Sequence, residues 1–65
     1  MKHSVRTYNR DYKVVYENHH RTAEAAYEEY VENIRIIKKH IQKGEKFTVA
    51  RVNDGMIMTL ETIEA

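Results

Sequence analysis

Apolar residues recur at helical spacing between Thr22 and Gly44, in alternating steps of four and three. Steps of this kind keep side chains on one face of an α-helix. Thr22 is a good N-cap because its hydroxyl can accept a hydrogen bond from an unpaired helical N–H, and Gly44 readily adopts the left-handed conformation that closes a helix. The pattern predicts one helix over residues 22–43, with an apolar stripe formed by Ala23, Tyr27, Tyr30, Ile34, Ile37 and Ile41.

The stretches on either side of this helix alternate as strands do. Residues 5–16 predict a first strand, with an interruption near Asn9-Arg10-Asp11. Residues 46–52 and 56–63 predict two further strands, which flank Asp54-Gly55. Asp-Gly is a strong signal for a two-residue hairpin turn, because both central positions need a positive φ. The C-terminal third of the chain is therefore predicted to be a β-hairpin.

The predicted register of this hairpin places Val52 diagonally across the turn from Ile57, and Val49 opposite Leu60. It gives two apolar faces, one with Phe47, Val49, Met56, Met58 and Leu60, the other with Ala50, Val52, Ile57 and Ile63. Both faces are more apolar than a half-exposed sheet requires.

These elements predict a single small α+β domain over residues 1–65, in the order β-α-β-β. One long helix packs on a small antiparallel sheet that ends in the hairpin. A chain of 65 residues builds a thin core. Small domains commonly compensate with disulfides, a metal or self-association, and the chain has no cysteine. We therefore expect a homo-oligomer, a dimer or larger.

The helix stripe has two interpretations. It can simply pack on the sheet, or, because it is narrow, it can act as a seam between two copies. Acidic residues occupy the first half of the helix and basic residues the second, which complements the helix dipole and would also suit two copies crossing antiparallel. The candidate interface comprises Tyr27, Tyr30, Ile34, Ile36, Ile37, Ile41, Glu28, Glu29, Glu32 and Lys39.

The net charge of +1 is unevenly spread, with +3 over residues 1–21 and −2 over residues 44–65. Nucleic-acid binders are usually far more basic, which makes nucleic-acid binding the weakest alternative. The chain has no apolar run of the roughly 20 residues that span a bilayer. The lack of cysteine fits a reducing cytoplasm, so we expect a cytoplasmic protein that does not enter the membrane.

A short polar segment precedes the helix, and helix N-termini favour anions. The candidate site for an anionic nucleotide or signalling ligand, held between subunits, comprises His19, His20, Arg21 and Thr22, with Tyr12 or Tyr16 stacking on a base. Glu24 puts a negative charge in the first helical turn and argues against an anion there. Neighbouring histidines rarely point at one ion, and no cofactor or metal is predicted.

No residues suggest catalysis. Ser4 is the only serine, and Gly44 and Gly55, the only glycines, are explained by a cap and a turn. The proportions of the chain resemble those of the small accessory proteins that bacteriophages encode to bind or inhibit host proteins, a resemblance that covers no motif. We therefore expect a non-enzymatic protein that binds another protein.

Overall fold

The computed structural model of the chain describes residues 2–65; Met1, which the predicted domain includes, lies outside the described residues. Within this range a single helix packs on one face of a four-stranded antiparallel sheet with the strand order β2-β1-β3-β4. The predicted α+β class, with one helix on an antiparallel sheet that ends in a hairpin, is confirmed. The elements are β1 (His3–Tyr8), β2 (Val14–His20), α1 (Ala23–His40), β3 (Lys46–Asn53) and β4 (Met56–Glu64).

The prediction of one strand over residues 5–16 is wrong, because this stretch folds into β1 and β2. The chain reverses between them in a turn organised by Asn9, whose side-chain oxygen accepts hydrogen bonds from the backbone N–H groups of Asp11 and Lys13. Tyr12 adopts φ 59° in this turn. An Asn side chain that bonds its own local backbone favours a turn over a continuing strand. The interruption that the sequence shows near Asn9-Arg10-Asp11 is therefore the turn at which the chain reverses.

The helix begins where the sequence predicts and ends earlier. Thr22 is the N-cap, and its Oγ1 accepts a hydrogen bond from the backbone N–H of Ala25 at 3.1 Å. The predicted end at residue 43 is wrong, since the helix stops at His40 and Ile41 turns to an extended conformation. Ile41 packs against the core from there. Gly44, at φ 91°, shapes the turn that follows and does not close the helix.

The hairpin of β3 and β4 turns at Asp54 and Gly55, with φ values of 51° and 79°. Its register differs from the prediction, because Met58 is an extra residue between the pairs Arg51–Thr59 and Val52–Ile57. This β-bulge pairs Leu60 with Ala50, so the predicted pairing of Val49 with Leu60 is wrong.

The bulge also redistributes the two faces of the hairpin. Successive strand residues point to opposite sides, and paired residues share a side. Ile57 and Leu60 therefore share a face with Ala50 and Val52. Ile63, which pairs with Phe47, moves to the helix side. The core lies on that side and consists of Val5, Ala26, Tyr30, Ile34, Val49 and Ile63.

Replacing Gly55 with alanine should lower the melting temperature by about 7–15 °C. A Cβ at Gly55 would meet nothing within 4 Å. The cost is therefore the strain of a left-handed L-residue, about 1–2 kcal/mol. Thermal unfolding followed by circular dichroism measures the change. Asp54→Asn is the control, because Asn tolerates the same conformation, and it should leave the melting temperature unchanged. Equal melting temperatures for Gly55→Ala and the unmodified chain would contradict the expectation.

Candidate functional site

The most organised polar site of the described chain is a cluster that joins β2 to α1. Three alternate residues of β2, Tyr16, Asn18 and His20, face the helix and contact the carboxylate of Glu29. The Tyr16 hydroxyl donates to Glu29 Oε2 at 2.5 Å, and Asn18 Nδ2 lies 3.2 Å from the same oxygen. His20 Nε2 lies 2.5 Å from Glu29 Oε1. We call these four residues the Glu29 cluster.

The side chain of Glu29 is only 19% exposed. Burial by itself raises the pKa of Glu29, but hydrogen bonds from Tyr16, His20 and Asn18 favour the charged form and bring the pKa below its ordinary value. The same contact with Glu29, followed by burial, raises the pKa of the Tyr16 hydroxyl. The carboxylate is therefore ionised and already satisfied from within the molecule. Its role is to fasten the edge strand β2 to the helix.

The structure separates the residues of the candidate anion site. His20 faces the helix and binds Glu29, whereas His19, paired with Ser4 in the sheet, faces the opposite side. The Thr22 hydroxyl serves as the helix cap. Arg21 is exposed beside it.

The two tyrosines of that candidate site are also apart in the structure. Tyr12 lies in the β1–β2 turn, where Lys46 Nζ is 5.4 Å from the centre of its ring, and the Tyr16 hydroxyl is held by Glu29. The charged group that contacts both Tyr16 and His20 is the carboxylate of Glu29, which is negative. Within one copy the six residues are therefore not brought together around one ligand.

The candidate interface on the helix divides into two parts. Tyr30 and Ile34 lie in the core, and Ile37 and Ile41 pack against it, so most of the stripe is used within one copy. The interpretation that the stripe packs on the sheet is confirmed. Among the charged candidates, Glu29 belongs to the cluster and Glu32 forms an ion pair with Arg35. The remaining candidates, Tyr27, Glu28, Ile36 and Lys39, are exposed.

Next to the Glu29 cluster an apolar groove of ≈ 290 Å³ runs between β2 and the second half of α1. Ile36 and Ile37 form its helix side, and Thr7 and Tyr16 its sheet side. A second groove of ≈ 250 Å³ shares Ile36 and Ile37 and continues towards Phe47. Such apolar grooves can accept side chains of a partner, with Asn33 as a polar group at the margin of the first.

The sequence did not indicate the surface on the other side of the sheet, which we call the open face. An antiparallel sheet usually turns its apolar residues to the helix and its polar residues to solvent, and on β4 this arrangement is inverted. Thr59 and Glu61 point to the helix side, where they contact Arg51 and Lys38. Ile57 and Leu60, which pair with Val52 and Ala50, lie on the open face with exposed fractions of 49 and 55%.

The bulge at Met58 causes this inversion, because it shifts the alternation of β4 by one residue. A bulge of this kind has no local sequence signature in the hairpin. The one hint was that both predicted faces were unusually apolar.

Within residues 2–65 no three His, Cys, Asp or Glu side chains converge as the ligands of a metal ion would. The helix of the described chain is too polar and too short to cross a membrane. Comparisons with protein-family models, with curated proteins and with solved structures give no match for this chain.

Proposed function

We propose that the chain is a small, non-enzymatic, cytoplasmic binding protein that works as a homo-oligomer and presents its helix flank to another protein. The observation that carries this proposal is the balance between its core and its surface. Among residues 2–65 the largest fully buried side chains are Val5, Val49 and Val52, while eleven large hydrophobic side chains are exposed. A folded protein of this size gains little stability from such a core, and association would cover the apolar surface that remains.

The polar groups of the site support a binding role over a catalytic one. The donors of the Glu29 cluster all converge on one carboxylate, and Thr22 caps the helix. These groups are engaged in holding the fold. A catalytic base needs a lone pair that can reach a substrate proton, and the oxygens of Glu29 accept hydrogen bonds from the protein's own side chains.

The surface offered to another protein is the flank of α1 that faces away from the sheet. Ile36 is exposed on it and also lines the apolar groove. Glu28 and Lys39 are exposed along the same helix. An apolar residue in a groove with charged residues around it is the usual composition of a protein-binding surface.

Light scattering and native mass spectrometry should give a mass at least twice the 7.8 kDa of the chain at micromolar concentrations. The apolar surface that a single copy exposes is the physical reason. A mass of one chain throughout that range would contradict the homo-oligomer.

The unmodified chain, immobilised on a resin and incubated with lysate of the native host, should retain a protein. The double variant Ile36→Glu, Lys39→Glu, treated in the same way, should not retain it. Arg21→Glu provides a matched control, because it reverses an exposed charge outside the helix flank. Identical capture by the unmodified chain and the double variant would show that the helix flank is not the working surface.

A further inference from the structure

We infer that the open face of the sheet is the docking surface for a second copy of this chain, and that the two sheets close face to face. This inference rests on the proposed homo-oligomer and names the surface through which it forms. The helix flank lies on the opposite side of the molecule and stays free for another protein.

The first observation is the inverted pattern of β4. An antiparallel sheet with one covered face normally turns its apolar residues to the helix and its polar residues to water. Here the polar Thr59 and Glu61 face the helix, while Leu60, between them, faces away. An arrangement that directs Ile57 and Leu60 away from the protein's own core fits a sheet that is covered on both sides.

The second observation is the shape of the open face, which depends on the side chains that project from it. Ile57 and Leu60 form a ridge along β4, where about half of each side chain is exposed. On the neighbouring strands β1 and β3, Ser4 and Ala50 are small and almost fully buried, so they project less than the ridge does. Two copies related by a twofold axis can therefore bring their ridges together and pack the two faces against each other, as the inner faces of packed sheets do.

The third observation is the charge on this face. Arg6 and Glu17 form an ion pair with a separation of 2.6 Å at the β2 side of this face, and Arg10 Nη2 lies 3.4 Å from Glu64 at one end. Thr48 and Thr62 pair through their hydroxyls at 3.1 Å. These polar groups have partners within one copy, so closing two faces leaves no unpaired charge at the centre of the interface.

The size of the molecule is compatible with a face-to-face dimer. The molecule extends 34 × 21 × 15 Å. Its two longer extents enclose a rectangle of roughly 700 Å² per copy, of the same order as the ~800 Å² per partner of a standard interface. A seam between helices offers less, because Tyr30 and Ile34 are already in the core. Edge-to-edge pairing of β4 would extend the sheet and leave the ridge in water.

Leu60→Glu tests the inference. In the face-to-face dimer each copy would bury one introduced carboxylate, so the interface would contain two buried charges. We expect the dimer dissociation constant, measured by sedimentation equilibrium, to rise at least about 100-fold while circular dichroism still reports a folded chain. Val31→Glu is the matched control, since Val31 is 45% exposed on the helix, and it should leave the constant unchanged. Ile57→Glu repeats the test at a second position of the ridge, should Leu60→Glu fail to fold.

Amide hydrogen exchange separates face-to-face closure from edge-to-edge pairing. In a face-to-face dimer only the β4 amides bonded to β3 are protected, about every second residue of residues 56–64. Protection of nearly all of them would overturn the inference in favour of edge pairing. A dimer unaffected by ridge substitutions would also overturn it and leave the proposed homo-oligomer standing. An unmodified chain that is monomeric at every concentration would overturn both.

Discussion

Replacing Ile34 with alanine should unfold a large fraction of the molecules at room temperature. Ile34 is 9% exposed and packs in the core cluster with Tyr30, Val49 and Ile63. Truncating a buried isoleucine removes apolar contacts and leaves a cavity, which costs about 2–4 kcal/mol. A core of this size rarely supplies more than about 3–5 kcal/mol in all. One substitution can therefore remove most of the stability. Urea unfolding followed by circular dichroism, at one fixed protein concentration, measures the loss.

Ile36→Ala provides the control for this prediction. It makes the same chemical change on the same helix, with the same gain in helix propensity. Ile36 is 43% exposed, so it leaves no cavity in the core. The free energy of unfolding should fall by less than about 1 kcal/mol. Equal losses for the two variants would show that the helix does not pack on the sheet through Ile34.

Replacing Glu29 with glutamine should lower the free energy of unfolding at neutral pH by about 1–3 kcal/mol. The substitution keeps the size of the side chain and removes the charge that Tyr16, Asn18 and His20 surround. It also places an amide that needs acceptors among groups that mostly donate. The edge strand β2 would then be held less firmly to the helix, and its amides should exchange faster with solvent.

The same carboxylate gives the stability a defined pH dependence. Hydrogen bonds lower the pKa of Glu29 in the folded state below its ordinary value of 4.5. The unfolded chain therefore binds the proton first as the pH falls. The contribution of Glu29 is fully present above its unfolded pKa and is lost as the pH drops through its folded pKa. Melting temperatures from neutral pH down to about pH 3 should fall less steeply for Glu29→Gln than for the unmodified chain.

Two other carboxylates contribute to the same range of pH and are unaffected by this substitution. Arg6 lowers the pKa of Glu17, and Arg35 lowers that of Glu32. Some loss of stability in acid should therefore remain in the variant. Glu28→Gln is the control, because Glu28 is the exposed neighbour of Glu29. Parallel acid curves for Glu29→Gln and Glu28→Gln would show that the Glu29 cluster does not stabilise the fold.

The sequence identified several members of the Glu29 cluster without revealing the cluster. Tyr16 and His20 were interpreted as part of an anion site, and Glu29 as part of a helix interface. Asn18 carried no signal. The structure joins them because β2 runs back beside β1 and the helix then crosses the sheet over it. This arrangement depends on the chain reversal at Asn9, which strand alternation alone did not reveal.

By itself the sequence determined the features that depend on neighbours in the chain. These are the N-cap at Thr22, the stripe through Tyr30 and Ile34, and the turn at Asp54-Gly55, where the conformation of a few consecutive residues decides the outcome. Only the tertiary structure decided the end of the helix, the division of residues 5–16 into two strands and the bulge at Met58. The physical reason is that strand register and face are set by pairing and packing with distant segments. One extra residue in β4 was enough to turn Leu60 away from the core.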